Sequence, residues 1–286
     1  VDMGNRTLKI GIDSIPSIPL DNTDRNRTSP IAFTGNKFEF RMLGSSQSIA
    51  SPNVVLNTMM IEELHQFADI LEQADDFNAA LQKLVHDSSH DHQRIIFNGN
   101  GYDDAWVEEA RRRGLSNLRD TVDCMPAYVN QKNVDLFSKY GILSEAEMHA
   151  RYEIHLENYC KVNTIEASTI LDMTRRHILP AVFDYADALS KTISRKREII
   201  GSANAELDIL QKLTALTDKL YNECNNLQQA LDHVPEMSGD IDSARYSRDE
   251  IFARVKEAGH IIGELEAITG ADYWPYPTYA DILFSV

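Results

Sequence analysis

Residues 23–41 read TDRNRTSPIAFTGNKFEFR, and charged and apolar residues alternate from Lys37 to Met42. A strand with that pattern sets Lys37, Glu39 and Arg41 on one face and Phe38, Phe40 and Met42 on the other. Glu39 and Arg41 then lie on the same face with their Cβ atoms roughly 6.5–7 Å apart. Mixed charges on one face of an antiparallel strand ordinarily serve solubility. The approach to the strand supports a second reading, because Arg25 and Arg27 flank Asn26 in a turn-rich stretch ending at Pro30. Arginine suits bidentate recognition of phosphate and carboxylate, and loops leading into strands display such side chains. On that reading a metal and a phosphate share the charged face.

Upstream, Leu8, Ile10 and Ile12 alternate against Lys9, Gly11 and Asp13, a second strand pattern close to Val1. Downstream the character changes. Gly44 to Ser48 is a polar loop, and Ser51-Pro52-Asn53 leads into a helix over about 54–71 on which Val55, Met59, Leu64, Phe67 and Leu71 recur at helical spacing. A helix is expected from Phe77 past Val85, then a short apolar strand at Ile95–Phe97 ending in Asn-Gly turns, then a charged helix from Trp106 to Arg113 closed by Gly114. Ser144 with Glu147 is a capping-box signature, so a long helix should start near Glu145 and run to about Leu179, where Pro180 interrupts or kinks it. From Ala181 to about Val234 the pattern is again helical, and Ile209, Leu213, Leu216, Leu220 and Leu227 make a seam suited to a neighbouring helix. Ser247 with Glu250 is read as the cap of a further helix through Ile268, ended by Gly270. The aromatic tail Tyr273 to Pro277 should pack back on the helices.

The chain has 286 residues, enough for one large or two ordinary domains, and 43% hydrophobic content supports a globular core. A net charge of −16 argues against nucleic acid or an anionic membrane as partner, since both demand a positive footprint. No apolar run approaches the roughly 20 residues that span a bilayer. Cys124, Cys160 and Cys224 are odd in number and widely spaced, which suggests neither a disulfide framework nor a CxxC site and fits a reducing cytoplasm.

Three weaker candidates remain. His86 and His90 lie one helical turn apart beside Asp87 and Asp91, yet the stretch reads as a polar helix end with no motif for further ligands. Gly99-Asn100-Gly101 lacks the third glycine or lysine of a phosphate loop and reads as a turn. No GxSxG element or cysteine–histidine pairing points to a nucleophilic hydrolase.

Asn26-Arg27-Thr28, then Phe38-Glu39-Phe40-Arg41, then Pro52-Asn53 opening a helix resembles the late catalytic segment of glutamine synthetases, where an Asn-Arg-Ser element precedes a strand carrying Glu-x-Arg. The wording is most similar to the type III branch. The stretch GLSNLRDTVDCMP from Gly114 more loosely resembles the end of that family's catalytic domain. In the better-known branches a second arginine, facing the nucleotide, follows the Asn-Arg-Ser element by five residues; here that position is Ala32, and Thr34, Asn36 or Lys37 are the nearby substitutes.

The resemblance implies an α+β, predominantly helical fold. Residues 1–165 would be the end of a glutamine-synthetase-type catalytic β-sheet domain, and residues 166–286 a long antiparallel helical extension. It implies an ATP-dependent ligase that joins ammonia to glutamate through γ-glutamyl phosphate, with Glu39 as a ligand of Mg2+ or Mn2+, Arg27 on the transferring phosphoryl group and Arg41 on glutamate or its phosphorylated form. It implies a large ring-type homo-oligomer. The family's small β-domain, its further metal ligands and its glutamate-binding loop are expected upstream of Val1, so the chain alone is expected to be inactive. The contrasting expectation is a non-catalytic helical assembly protein whose charged strand is structural.

Overall fold

Among the described residues two short antiparallel ladders precede the helices: β1 (Thr7–Leu8) pairs with β2 (Ile18–Pro19), and β3 (Ile31–Phe33) pairs with β4 (Phe38–Phe40). The computed structural model describes residues 7–8, 18–19, 31–33, 38–42, 44, 47–97, 101, 103–234 and 240–284. These fall into two compact units, 1–118 and 119–286.

In the first unit, α1 (Ala50–Glu72) starts four residues earlier than its apolar pattern suggests, with Pro52 in its first turn where a missing N–H costs nothing. Its partner is α2 (Phe77–Asp91), whose N-cap Asp76 accepts a hydrogen bond from the Ala79 amide. Of the expected stripe on α1, Val55, Phe67 and Leu71 are half-buried while Met59 and Leu64 stay exposed, because one helix covers only part of that face. The strand expected at Ile95–Phe97 is not formed: Gln93–Ile95 is a 3₁₀ turn. Phe97 stacks on Trp106 at 3.9 Å between ring centroids, and Arg113 donates to the Ile96 carbonyl at 2.8 Å, so the acceptor a ladder would need is taken by a side chain. Helix α3 (Asp104–Arg112) carries that tryptophan, capped by Asp103.

The second unit opens with α4 (Thr121–Tyr128) and α5 (Gln131–Lys139) packed on α6 (Glu145–Met173). The capping box stands as its sequence predicts: the Glu147 amide donates to Ser144 Oγ, and Glu147 Oε2 accepts from the Ser144 amide at 2.8 Å. Pro180 disturbs the helix one turn earlier than its position suggests. Thr174–Ile178 widen into a π-helical turn in which the Leu179 amide reaches back to the Thr174 carbonyl, and α7 (Leu179–Ile200) then continues with Pro180 in its first turn.

One break was not legible in the apolar pattern. Gly201 has φ +75°, a left-handed conformation that L side chains rarely adopt, and it ends α7. After two further residues α8 (Asn204–Asp232) begins and runs back along α7 as an antiparallel hairpin. The seam is core. Leu213, Leu220 and Leu227 are fully buried, Ile209 and Leu216 pack at its edge, and α8 lies against both α7 and α10 (Ala253–Ile268).

The helix expected from Ser247 has a different start. Asp240 caps α9 (Ile241–Tyr246) by accepting from the Ser243 amide at 2.6 Å, and Ser247–Phe252 form a second π-helical turn that leads into α10. Ser247 is buried and its Oγ accepts from Asn163 Nδ2 at 3.0 Å, while Glu250 pairs with Arg254, so neither acts as a cap. The tail does pack back: Trp274 is buried in the same core, and Tyr273 lies against Tyr185. Helix α11 (Tyr279–Phe284) follows.

Candidate active site

The β3–β4 ladder carries the charged face. Its register pairs Ile31 with Phe40, Ala32 with Glu39 and Phe33 with Phe38. Position 32, where the resemblance looks for a second arginine, is therefore directly across from Glu39 in the register. Glu39 and Arg41 meet as the period-two pattern requires: Arg41 Nη2 and Nε donate to Glu39 Oε2 at 3.2 and 3.3 Å. The Arg41 side chain is 20% exposed and that of Glu39 is 39%, so neither group of the pair is fully buried. Arg27 lies outside the described residues, as do Arg25, Asn26, Thr34, Asn36 and Lys37.

A carboxylate beside a guanidinium offers two complementary functions. The carboxylate suits a hard divalent cation, and the planar guanidinium suits a carboxylate or phosphate. Glu39 thus has the donor chemistry that Mg2+ or Mn2+ takes, as one ligand of a set. Among the described residues no group of three or more His, Cys, Asp or Glu side chains stands together as a metal site. His86 and His90 stack at 6.3 Å between ring centroids, and each contacts the aspartate next to it, at 3.1 and 3.2 Å.

Two further constellations lie outside any motif. Glu109 accepts from both Arg112 and Arg113, whose hydrogen bonds hold its carboxyl far below the usual range, at about 2. In the second unit Arg248 joins Asp249 at 2.7 Å, Asp123 at 2.9 Å and Asp120 at 3.5 Å, tying the second π turn to α4. All three cysteines are free, and burial raises each thiol above its ordinary range. The second unit also contains a groove of about 500 Å³ between α6, α10 and the aromatic tail. Among the described residues no helix is long and apolar enough to cross a membrane.

Residues 80–197 match the family model described as the glutamine synthetase C-terminal domain. The chain is 35% identical to a glutamine synthetase of Butyrivibrio fibrisolvens over 93% of its own length and 38% of that relative. It is 32% identical to a type-3 glutamine synthetase of Dictyostelium discoideum over 98% of its length and 40% of that protein. A glutamine synthetase of Bacteroides fragilis (strain YCH46) is 28% identical over 98% of this chain and 40% of its own. The chain thus spans about two fifths of the length of these relatives.

Proposed function

Because the chain belongs to the glutamine synthetase family, we propose that it carries the closing part of the active site of an ATP-dependent ligase that forms glutamine from glutamate and ammonia by way of γ-glutamyl phosphate. The observation that carries this reading is the joining of Glu39 and Arg41 on one strand face, in a chain that aligns almost end to end with glutamine synthetases. On this reading residues 1–165 act as the end of the catalytic domain and residues 166–286 as the helical extension.

The chemistry must neutralise a transferring phosphoryl group while holding two anionic substrates together, which is a problem of positive charge and positioning. Arg27 grips the transferring phosphoryl group and Arg41 holds the glutamate carboxylate or its phosphorylated form. Glu39 contributes one carboxylate ligand to Mg2+ or Mn2+, which when bound supplies Lewis-acid stabilisation of the nucleotide phosphates. Glu39 also orients Arg41 through their shared ion pair. The remaining ligands and substrate contacts come from the rest of the polypeptide, so this chain alone is inactive. The complete enzyme works in the cytoplasm as a ring-type homo-oligomer.

Glu39→Ala in the complete enzyme tests the assignment. Glutamine synthesis should be lost while assembly is retained, because a half-exposed strand residue is removed and no core side chain is touched. Normal metal-dependent turnover in that variant would return Glu39 to the role of a solvated strand residue.

A further inference from the structure

The groove in the second unit has an apolar floor and an acidic rim. Ile170, Met173 and Ile178 line it from the α6–α7 side, Val255 and Ile262 from α10, and Trp274 from the tail; Glu166 and Glu266 stand at its edges. Neither glutamate makes an ion pair among the described residues. A concave apolar site of this size with a few polar groups at its mouth is the usual form of a pocket for a hydrophobic anchor. Gly259 also lines it, and a Cβ built there meets nothing within 4 Å, so open space continues down to the backbone of α10.

The matching feature stands at the far end of the same hairpin. Ile199 and Ile200, the last residues of α7, are 80% and 66% exposed. Ile200 continues the core stripe of Leu189 and Ile193 by helical spacing, but lies beyond the point where that core ends. Around them Arg195, Lys196, Arg197 and Glu198 are all exposed. Lys196 is neutralised by an ion pair with Glu206, whereas Arg195 and Arg197 form none among the described residues, so the tip keeps a positive excess on a chain of net charge −16.

The tip cannot fill the groove of its own chain. Ile178 lines the groove just before α7 begins and Ile200 is the last residue of α7, and 22 residues of helix separate them by about 33 Å. A second exposed apolar segment of this unit, Ile282 to Phe284 of α11, follows Pro277 of the groove wall closely, but it brings Asp281 toward an acidic rim. Between these two, charge complementarity selects the basic tip.

We propose that the α7–α8 hairpin tip of one copy inserts Ile199 and Ile200 into the α6–α10 groove of a second copy, with Arg195 and Arg197 meeting Glu166 and Glu266. The contact is head-to-tail, joining two different surfaces, and such contacts close into rings when the rotation per subunit allows it. It deepens the self-association proposed above by naming the surfaces.

The complete protein is the material for the test, with a photo-cross-linking amino acid placed at position 199 and two isotopically distinct preparations mixed. Cross-links should join position 199 of one copy to residues 165–173 or 255–266 of another. Gly259→Phe should block the groove without disturbing the fold, and its association should be at least about tenfold weaker by sedimentation. Reversing the rim with Glu166→Arg and Glu266→Arg should do the same, since like charges then oppose each other. Mixing that variant with copies carrying Arg195→Glu and Arg197→Glu should restore the contact. If these variants leave the oligomer and the cross-links unchanged, or if position 199 links to residues 279–284 or to parts of the polypeptide outside this chain, the contact is wrong while self-association stands. A complete protein that is monomeric overturns both.

Discussion

Leu220→Ala separates a core seam from an exposed interface. Leu220 is fully buried in the middle of α8, in one cluster with Leu189 of α7, Ile261 and Leu265 of α10, and Trp274. Truncating such a leucine removes its transfer free energy and leaves a cavity, together about 2–5 kcal/mol. With a urea dependence of about 2 kcal/mol per molar, that moves the unfolding midpoint down by roughly 1–2.5 M. Tyr221→Ala is the control: the residue next to Leu220 on α8 is 57% exposed, and surface changes of this kind stay within about 0.5 kcal/mol. Urea unfolding of this chain followed by circular dichroism at 222 nm reads both variants against the parent. A Leu220→Ala midpoint within error of the parent, or an equal loss from both variants, would refute the assignment of the seam to the intrachain core.

Four further substitutions have defined outcomes. Gly201→Ala should destabilise by about 1–2 kcal/mol, because it forces a Cβ into a left-handed backbone in otherwise open space. Gly259→Ala, in the α10 interior with equal space, should instead stabilise by nearly 1 kcal/mol, and thermal melts that show the same sign for both would contradict the backbone assignment. The Glu109 carboxyl is held at about 2 when folded against about 4.3 in an unfolded chain, so its contribution is present above pH 4.3 and lost as pH falls toward 2. The stability difference between the parent and Glu109→Gln should accordingly be seen at pH 6 and vanish near pH 2; a difference that persists at pH 2 would exclude the two arginine hydrogen bonds as its source. In the complete enzyme Arg27→Lys should lose roughly 100- to 1000-fold in turnover, since an ammonium cannot reproduce the planar guanidinium fork, and near-normal rates would reduce Arg27 to charge steering.

The features legible in the order of residues were local. The period-two run from Lys37 to Met42 is enough to bring Glu39 and Arg41 to one face, and the ion pair between them has that spacing as its cause. The Ser144–Glu147 capping box depends on residues three apart and forms as read, and the leucine stripe of α8 names its own buried face. The rest depended on contacts between residues far apart in the chain. Ser247 and Glu250 have cap spacing, yet Asn163, 84 residues away, claims the serine hydroxyl inside the core and Asp240 becomes the cap upstream. Pro180 announces a disturbance but not its form: the π turn spreads the loss of one amide donor over the preceding residues and keeps Ile178 and Leu179 buried. The acidic groove is built from Glu166 on α6 and Glu266 on α10, a hundred positions apart in the chain, so no sequence window contains it. Hydrogen bonds and side-chain periodicity act across a few residues and are written in order along the chain, whereas burial is a property of which faces finally meet, and that is settled by the packing of all the helices together.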